Sequence, residues 1–296
     1  MPRMSRQTVN FLKGMAFLSP WLIGVLVFTT IPIGLSLYYS FCNYPLVQPP
    51  VFVGWHNYHY MIHDRVFWIS LKNTLLYALM SLPMGMVIAL ALALLLNANI
   101  RGLSLYRTII FLPSLIPLVA SAMLWLWMYN SKLGLINITL RSLGIAHPPP
   151  WLTSTHWAMP ALVLMSFWSL GNTVVIYLAG LQDVPRELYE AADLDGANLP
   201  RKIWHVTLPS ISPVIFFNLI MGIIGSLQTF TQPFIMTQGG PIRSTYLYTM
   251  YLYDNAFTFL RMGYASALAW VQLLLVLALT ALAFWTSRYW VHYQGR

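Results

Sequence analysis

The sequence predicts an all-α, polytopic membrane protein of six transmembrane helices, and three observations carry that reading. Of the 296 residues, 58% are hydrophobic and 8% are charged, whereas a soluble domain carries about 25% charged residues. So few charges cannot coat a soluble globule of this size, and a lipid-facing surface accounts for the composition. Six apolar stretches, at about 15–38, 72–96, 108–129, 157–181, 211–236 and 265–287, each reach the roughly 20 residues that a bilayer core requires. The short alternating strands of a membrane barrel are absent, and unpaired backbone is so costly in hydrocarbon that helix is the expected form of all six.

The first stretch follows Arg3, Arg6 and Lys13, as the apolar part of a signal peptide would. It is longer than the usual 7–15 residues and lacks a small-x-small cleavage site, so it reads as a retained span. The single cysteine, Cys42, excludes an internal disulfide or a thiol-based metal cluster. Preceded by the bulky Phe41, it reads as a buried thiol rather than a lipidated N-terminus. His56, His59 and His63, with Asp64, could ligate a metal, but interfacial loop histidines are the plainer reading and no metal is expected.

The second stretch is the clearest, an uncharged run over 75–96. Pro32, Pro83, Pro113 and Pro117 are expected to bend their helices, which a bundle tolerates where neighbours or hydroxyls satisfy the freed carbonyls. The loop His147-Pro148-Pro149-Pro150-Trp151 reads as a stiff extended connector. The fifth stretch is the least clear, since it contains Asn218, Gln228, Thr229 and Gln232.

Six spans put both termini on one side. With that side cytoplasmic, the inner segments hold ten basic residues (Arg3, Arg6, Lys13, Arg101, Arg107, Arg186, Arg201, Lys202, Arg288, Arg296) against six outside (Arg65, Lys72, Lys132, Arg141, Arg243, Arg261). The bias favours this orientation. The expected organisation is a tail at 1–14, a membrane domain at 15–288 with a cytoplasmic loop at 183–209, and a tail at 289–296. The net charge of +9 is dispersed between apolar runs, without a basic patch of interleaved aromatics, which excludes a nucleic-acid partner. It suits anchoring in membrane lipid.

Only seven carboxylates exist, and five of them (Asp183, Glu187, Glu190, Asp193, Asp195) sit in one stretch. The pattern predicts a helix over 185–195, with Pro185 in the first turn and acidic residues near the positive N-terminus. Leu188, Ala191, Ala192 and Asp195 share one face, and the two alanines let a partner approach closely. Gly196 ends the helix in the left-handed conformation. A second short helix is expected near Pro200, carrying Ile203, Trp204 and Val206, before Pro209 and Pro213 break or redirect the chain. No catalytic constellation is evident.

Glu190-Ala191-Ala192-Asp193-Leu194-Asp195-Gly196-Ala197, followed by Ile203, Thr207-Leu208-Pro209 and Pro213, resembles the EAA loop of ABC importer permeases. Phe52-Val53-Gly54-Trp55-His56-Asn57-Tyr58, Asn73-Thr74 and Thr237-Gln238-Gly239-Gly240-Pro241 are similar to the sugar and glycerol-phosphate importers, the last being typical of the first of two paired permeases. The resemblance covers nearly the whole chain and departs at Leu199-Pro200, where many members have polar or aromatic residues. It implies a type I ABC importer permease fold in a bacterial-type inner membrane, with a second homologous permease, a cytoplasmic ABC ATPase dimer and an extracytoplasmic solute-binding protein as partners. It further implies that Glu187, Glu190, Ala191, Ala192, Asp195, Gly196, Ile203 and Pro209 couple to the ATPase. A sugar-like solute would pass near Trp168, Asn172, Ser226, Gln228, Thr229 and Gln232, because polar groups in spans default to function. The chain carries no P-loop and is expected to bind no cofactor; ATP and Mg2+ would be used by the partner. The alternative is a secondary solute transporter with a cytoplasmic regulatory loop, against which the lack of central intramembrane carboxylates weighs.

Overall fold

The computed structural model describes residues 6–98 and 102–292, so Arg3, Arg101 and Arg296 of the charge tally lie outside the described residues. The chain divides into two compact units, Met1–His63 with Leu252–Gln272, and Asp64–Tyr251 with Leu273–Arg296.

In the first unit, α1 (Arg6–Val25) runs through one π-turn, Leu26–Thr30, into α2 (Ile31–Ser40). Pro32 supplies no N–H to the helix, and the wider turn just before it, in which Ile31 N–H reaches Leu26 O, keeps the helix continuous. Strands β1 (Cys42–Asn43) and β2 (Val51–Phe52) then pair antiparallel. Asn57, in α3 (His56–His63), donates to the carbonyls of Ser40 and Cys42, both at 2.9 Å. Tyr58 bonds the Ser40 hydroxyl at 2.8 Å. The Phe52–Tyr58 motif thus ties down the end of the first span, and Cys42 is buried there as expected.

The second unit begins with α4 (Arg65–Leu96), capped by Asp64, whose carboxylate accepts from Val66 N–H at 2.8 Å. Pro83 lies inside this helix without ending it. The third apolar stretch is not one gently bent span. Its first arm, α5 (Leu103–Phe111) with the 3-10 turn Leu112–Leu115, meets α6 (Leu118–Met128) at 99°. Pro117 forces extended backbone on Ile116 (ψ 130°), and the chain turns almost at a right angle there. After α7 (Leu135–Ser142), the fourth stretch is likewise a pair, α8 (Ala158–Ser166) with a 3-10 turn, then α9 (Gly171–Gln182), bent by 51°.

The charged segment forms α10 (Arg186–Leu194), α11 (Leu199–Lys202) and α12 (Leu208–Ser210). The fifth span is α13 (Ser212–Leu227) and α14 (Thr231–Met236), interrupted at 228–230 where its polar residues cluster. Then come α15 (Tyr248–Tyr253) and the last span, α16 (Met262–Ser287). Among the described residues, four helices are long and apolar enough to cross a membrane, and six spans result when each bent pair is counted as one.

Two clusters form the core of this unit. One joins Tyr77, Trp125, Tyr129, Leu162, Met165, Met236 and Leu247; the other joins Ala89 and Ala93 to Val174, Tyr177, Leu178, Leu181 and Ile211. Small residues on α4 allow α9 to approach closely, as packing without a hydrophobic driving force requires. Gly171 is a close joint between the bent pairs: a Cβ there would stand 2.9 Å from Ser114 Oγ and 3.0 Å from Ile110 O.

Candidate functional site

Two features of the second unit bring functional chemistry together. The first is a cleft of about 280 Å³ between α4, α9 and α13. Tyr77, Ser81, Ser166, Thr173, Asn218, Ser226 and Thr229 supply its polar lining, and no charged side chain borders it. Several hydroxyls are committed as donors to their own helices: Ser166 to Val163 O at 2.6 Å, Ser226 to Ile223 O at 3.1 Å and Thr229 to Gly225 O at 3.2 Å. Donation within the helix leaves their oxygens available only as acceptors. Asn218 Nδ2 donates to Val214 O at 3.0 Å, and Oδ1 keeps its accepting capacity.

Of the six span residues expected along the path, Ser226 and Thr229 border the cleft. Gln232 is buried behind it and accepts from the Tyr77 hydroxyl at 3.2 Å. Asn172 and Gln228 are exposed away from it. Trp168 packs edge-on against Trp125 in the neighbouring core cluster, with its Nε1 buried and unpartnered. Tyr77, Ser81, Ser166 and Thr173 were not singled out by the sequence. Lone hydroxyls in apolar runs are common, and only their convergence from three helices marks them.

The second feature is the segment between α9 and α13. Pro185 stands at the N-terminal boundary of α10 and Glu187 in its first turn. Past Asp195, Gly196 takes φ +72°. Gly196 N–H bonds Asp193 O at 3.0 Å and Ala197 N–H bonds Ala192 O at 2.9 Å, the paired bonds of a Schellman ending. Asn198 then caps α11, its side chain accepting from Arg201 N–H at 3.2 Å.

Of the expected break or redirection at Pro209 and Pro213, the redirection is found: α11, a π-turn at Ile203–Thr207 and α12 form one helical run through Pro209, and the direction changes between the two prolines, at Ile211 (φ −93°, ψ 7°). The π-turn reaches past the N–H that Pro209 lacks. The two arms are tied together by Tyr189 and Thr207, whose hydroxyls share a hydrogen bond at 3.0 Å, and by an Asp193–Lys202 ion pair. Tyr189 also packs against the cluster of α4 and α9. Outward, Leu194 is 91% exposed, Leu199 71% and Trp204 69%. Glu187, Glu190, Ala191 and Asp195 are exposed, while Ala192, Ile203 and Pro209 are half-buried.

The motifs at Asn73-Thr74 and 237–241 both bond to the segment that follows the second, 243–248. Thr237 and Thr245 hydroxyls share a hydrogen bond at 2.7 Å, and Thr245 donates to Gly240 O at 2.7 Å. Thr74 Oγ1 accepts from Tyr248 N–H at 2.8 Å. Burial, with Tyr251 beside it, holds the Tyr248 phenol well above its ordinary range. His59 and His63 rings lie 4.6 Å apart, but among the described residues no three His, Cys, Asp or Glu gather as metal ligands.

Bent spans around an uncharged cleft, with an exposed helical segment between the fourth and fifth, define a polytopic transport subunit. A family model for binding-protein-dependent transport system inner membrane components matches residues 81–291. The chain is 42% identical to the probable ABC transporter permease protein YesP of Bacillus subtilis, over 96% of this chain and 93% of that one. It is 36% identical to the sulfoquinovosyl glycerol transport system permease protein SmoG of Agrobacterium fabrum, over 91% and 88%. It superposes with a TM-score of 0.83 and 25% identity on a chain of a bacterial ABC transporter involved in import of the acidic polysaccharide alginate, covering 96% of this chain and 99% of that one. The chain belongs to the family of binding-protein-dependent transport system inner membrane components. It is a multi-pass permease subunit of an ABC importer, forming part of the translocation path.

Proposed function

We propose that this permease forms half of the path for a neutral, sugar-like solute and is driven by an ABC ATPase dimer through the segment 183–209. The cleft of Tyr77, Ser81, Ser166, Thr173, Asn218, Ser226 and Thr229 carries the reading. Hydroxyls, an amide and a phenol ring match a polyol, which offers hydrogen bonds and apolar ring faces but no charge. At about 280 Å³ the cleft is small beside the roughly 300–1,000 Å³ of an enclosed ligand pocket. That suits half of a path completed by a second, homologous permease. A relative named for lactose supports a neutral sugar, and one named for sulfoquinovosyl glycerol supports a glycoside more broadly, its sulfonate being charged.

Coupling through 183–209 is supported by its rigid join to the core at Tyr189 and by its exposed apolar residues, which a partner groove would cover. Glu187, Glu190, Asp195 and Ala191 lie open to that partner, and Gly196 sets the angle between the arms. An extracytoplasmic solute-binding protein delivers the solute. Both termini are cytoplasmic in this arrangement, with the membrane domain over 15–288 between tails at 1–14 and 289–296.

Gly225 provides the test, because it borders the cleft and nothing lies within 4 Å of where its Cβ would stand. In a transporter reconstituted with its second permease, ATPase and binding protein, Gly225→Leu is expected to abolish solute uptake while ATP hydrolysis continues. Full uptake by this variant would exclude the cleft from the path. Uptake driven by an ion gradient without ATP would instead favour a secondary transporter.

A further inference from the structure

We propose that a groove between α5 and α9 is a binding site for one anionic phospholipid, with the headgroup phosphate on Arg107 and an acyl chain along the groove. This inference is independent of the path assigned above. The groove has a volume of about 480 Å³ and is lined by Phe111, Leu112, Leu115, Val175 and Leu178, with Arg107 and Thr108 at one end. It is almost wholly apolar, and no carboxylate borders it.

Arg107 is the anomaly. Its Nε is buried and has no hydrogen-bond partner, on a side chain that is otherwise half-buried, and a buried donor left unsatisfied is costly. Elsewhere in this unit the basic side chain Lys202 is matched, by Asp193. An anion supplied from outside the chain resolves the cost at Arg107, and phosphate oxygens are well suited to a guanidinium fork.

The position selects the source of that anion. Arg107 lies four residues after the start of α5 and eight before the end of its arm at Leu115, nearer the end of the arm, where headgroups gather, than its far side. Leu105, Ile109, Leu112 and Leu115 beside it are exposed apolar residues on a membrane arm. The groove therefore opens onto the surface where acyl chains lie. A free anion would satisfy Arg107 and leave the apolar wall uncovered, whereas a phospholipid satisfies both. Basic pockets between helices recognise anionic headgroups by this combination.

The test is native mass spectrometry of the assembled transporter, extracted from vesicles of equal phosphatidylglycerol and phosphatidylcholine with matched chains. Wild type is expected to retain phosphatidylglycerol preferentially. Arg107→Gln should lower that preference about fivefold, the weight of one basic residue at an anionic surface, while Arg107→Lys should largely preserve it. Val175→Trp, which fills the groove and keeps the charge, should reduce retention of both lipids, so the proposal stays testable if Arg107→Gln does not fold. Unchanged retention in Val175→Trp, or unchanged preference in a folded Arg107→Gln, overturns the proposal. Release of the lipid by inorganic phosphate alone would reassign the site to a free anion. Labelling of Arg107→Cys by a lipid-permeant thiol reagent only when the second permease is absent would reassign the groove to that subunit.

Discussion

Asn73, near the start of α4, donates its side-chain amide to the main-chain carbonyl of Arg243 at 2.7 Å, across 170 positions of sequence. The same amide reaches Tyr246 O at 3.2 Å, and the next residue, Thr74, takes the Tyr248 N–H. Two adjacent side chains thus hold a segment in which Gln238, Gly239, Ile242 and Arg243 all have positive φ. Such backbone persists where its surroundings over-determine it.

Replacing Asn73 by Ala should therefore cost about 1–3 kcal/mol, because two carbonyls lose a donor. Asn73→Asp should cost more, since a carboxylate only accepts. Thermal unfolding of the purified chain measures both, and equal melting of all three proteins would refute this role for the amide.

The exposed apolar residues of α10–α12 should matter to assembly and not to folding. Trp204→Asp combined with Leu199→Asp is expected to weaken ATPase association by about 2 kcal/mol or more, as loss of a hot spot does. Unfolding should be unaffected, because both side chains already face outward. Copurification of the ATPase with the permease pair gives the readout; undiminished copurification would place the docking surface elsewhere.

Gly196 separates backbone strain from crowding. Nothing lies within 4 Å of its would-be Cβ, yet its φ is +72°. Substitution should cost about 1–2 kcal/mol through conformation alone, in the order Asn below Ala below Val, since Asn tolerates the left-handed region. ATP-driven uptake should fall in the same order; a Val variant outperforming Asn would contradict it.

The Asp193–Lys202 pair bridges the two arms but lies partly in water. Asp193→Asn should destabilise the chain by no more than about 1 kcal/mol, and added salt should shrink the difference. A larger, salt-insensitive loss would mean that the bridge fixes the angle between the arms.

The sequence made the spans legible because lipid allows few alternatives to a long apolar helix. It also exposed the α10 ending, since Gly196 after Asp195 enters the left-handed region without the Cβ penalty that other residues meet. Pro117 marked a bend but not its 99° size, which follows from Ile116 being extended as well. Pro209 marked the redirection but not its place, because a π-turn upstream absorbed the missing donor and the chain turns at Ile211. Polarity and the family resemblance selected Trp168, Asn172 and Gln228, none of which borders the cleft: Trp168 packs into the neighbouring core cluster, and Asn172 and Gln228 are exposed. The bond between Tyr189 and Thr207 went unnoticed because it joins two separate arms across 18 residues, which periodicity within one helix does not register.

Gly171 has a mechanical consequence. It stands where α9 departs from its bent pair, and it touches Ile110 and Ser114 beside the bend of the other. With no side chain between them the two elbows bear directly on one another, so neither pair can flex without displacing its neighbour. The four arms then have fewer independent degrees of freedom than two free elbows would. A push delivered to one pair is geared to the second rather than dissipated in it.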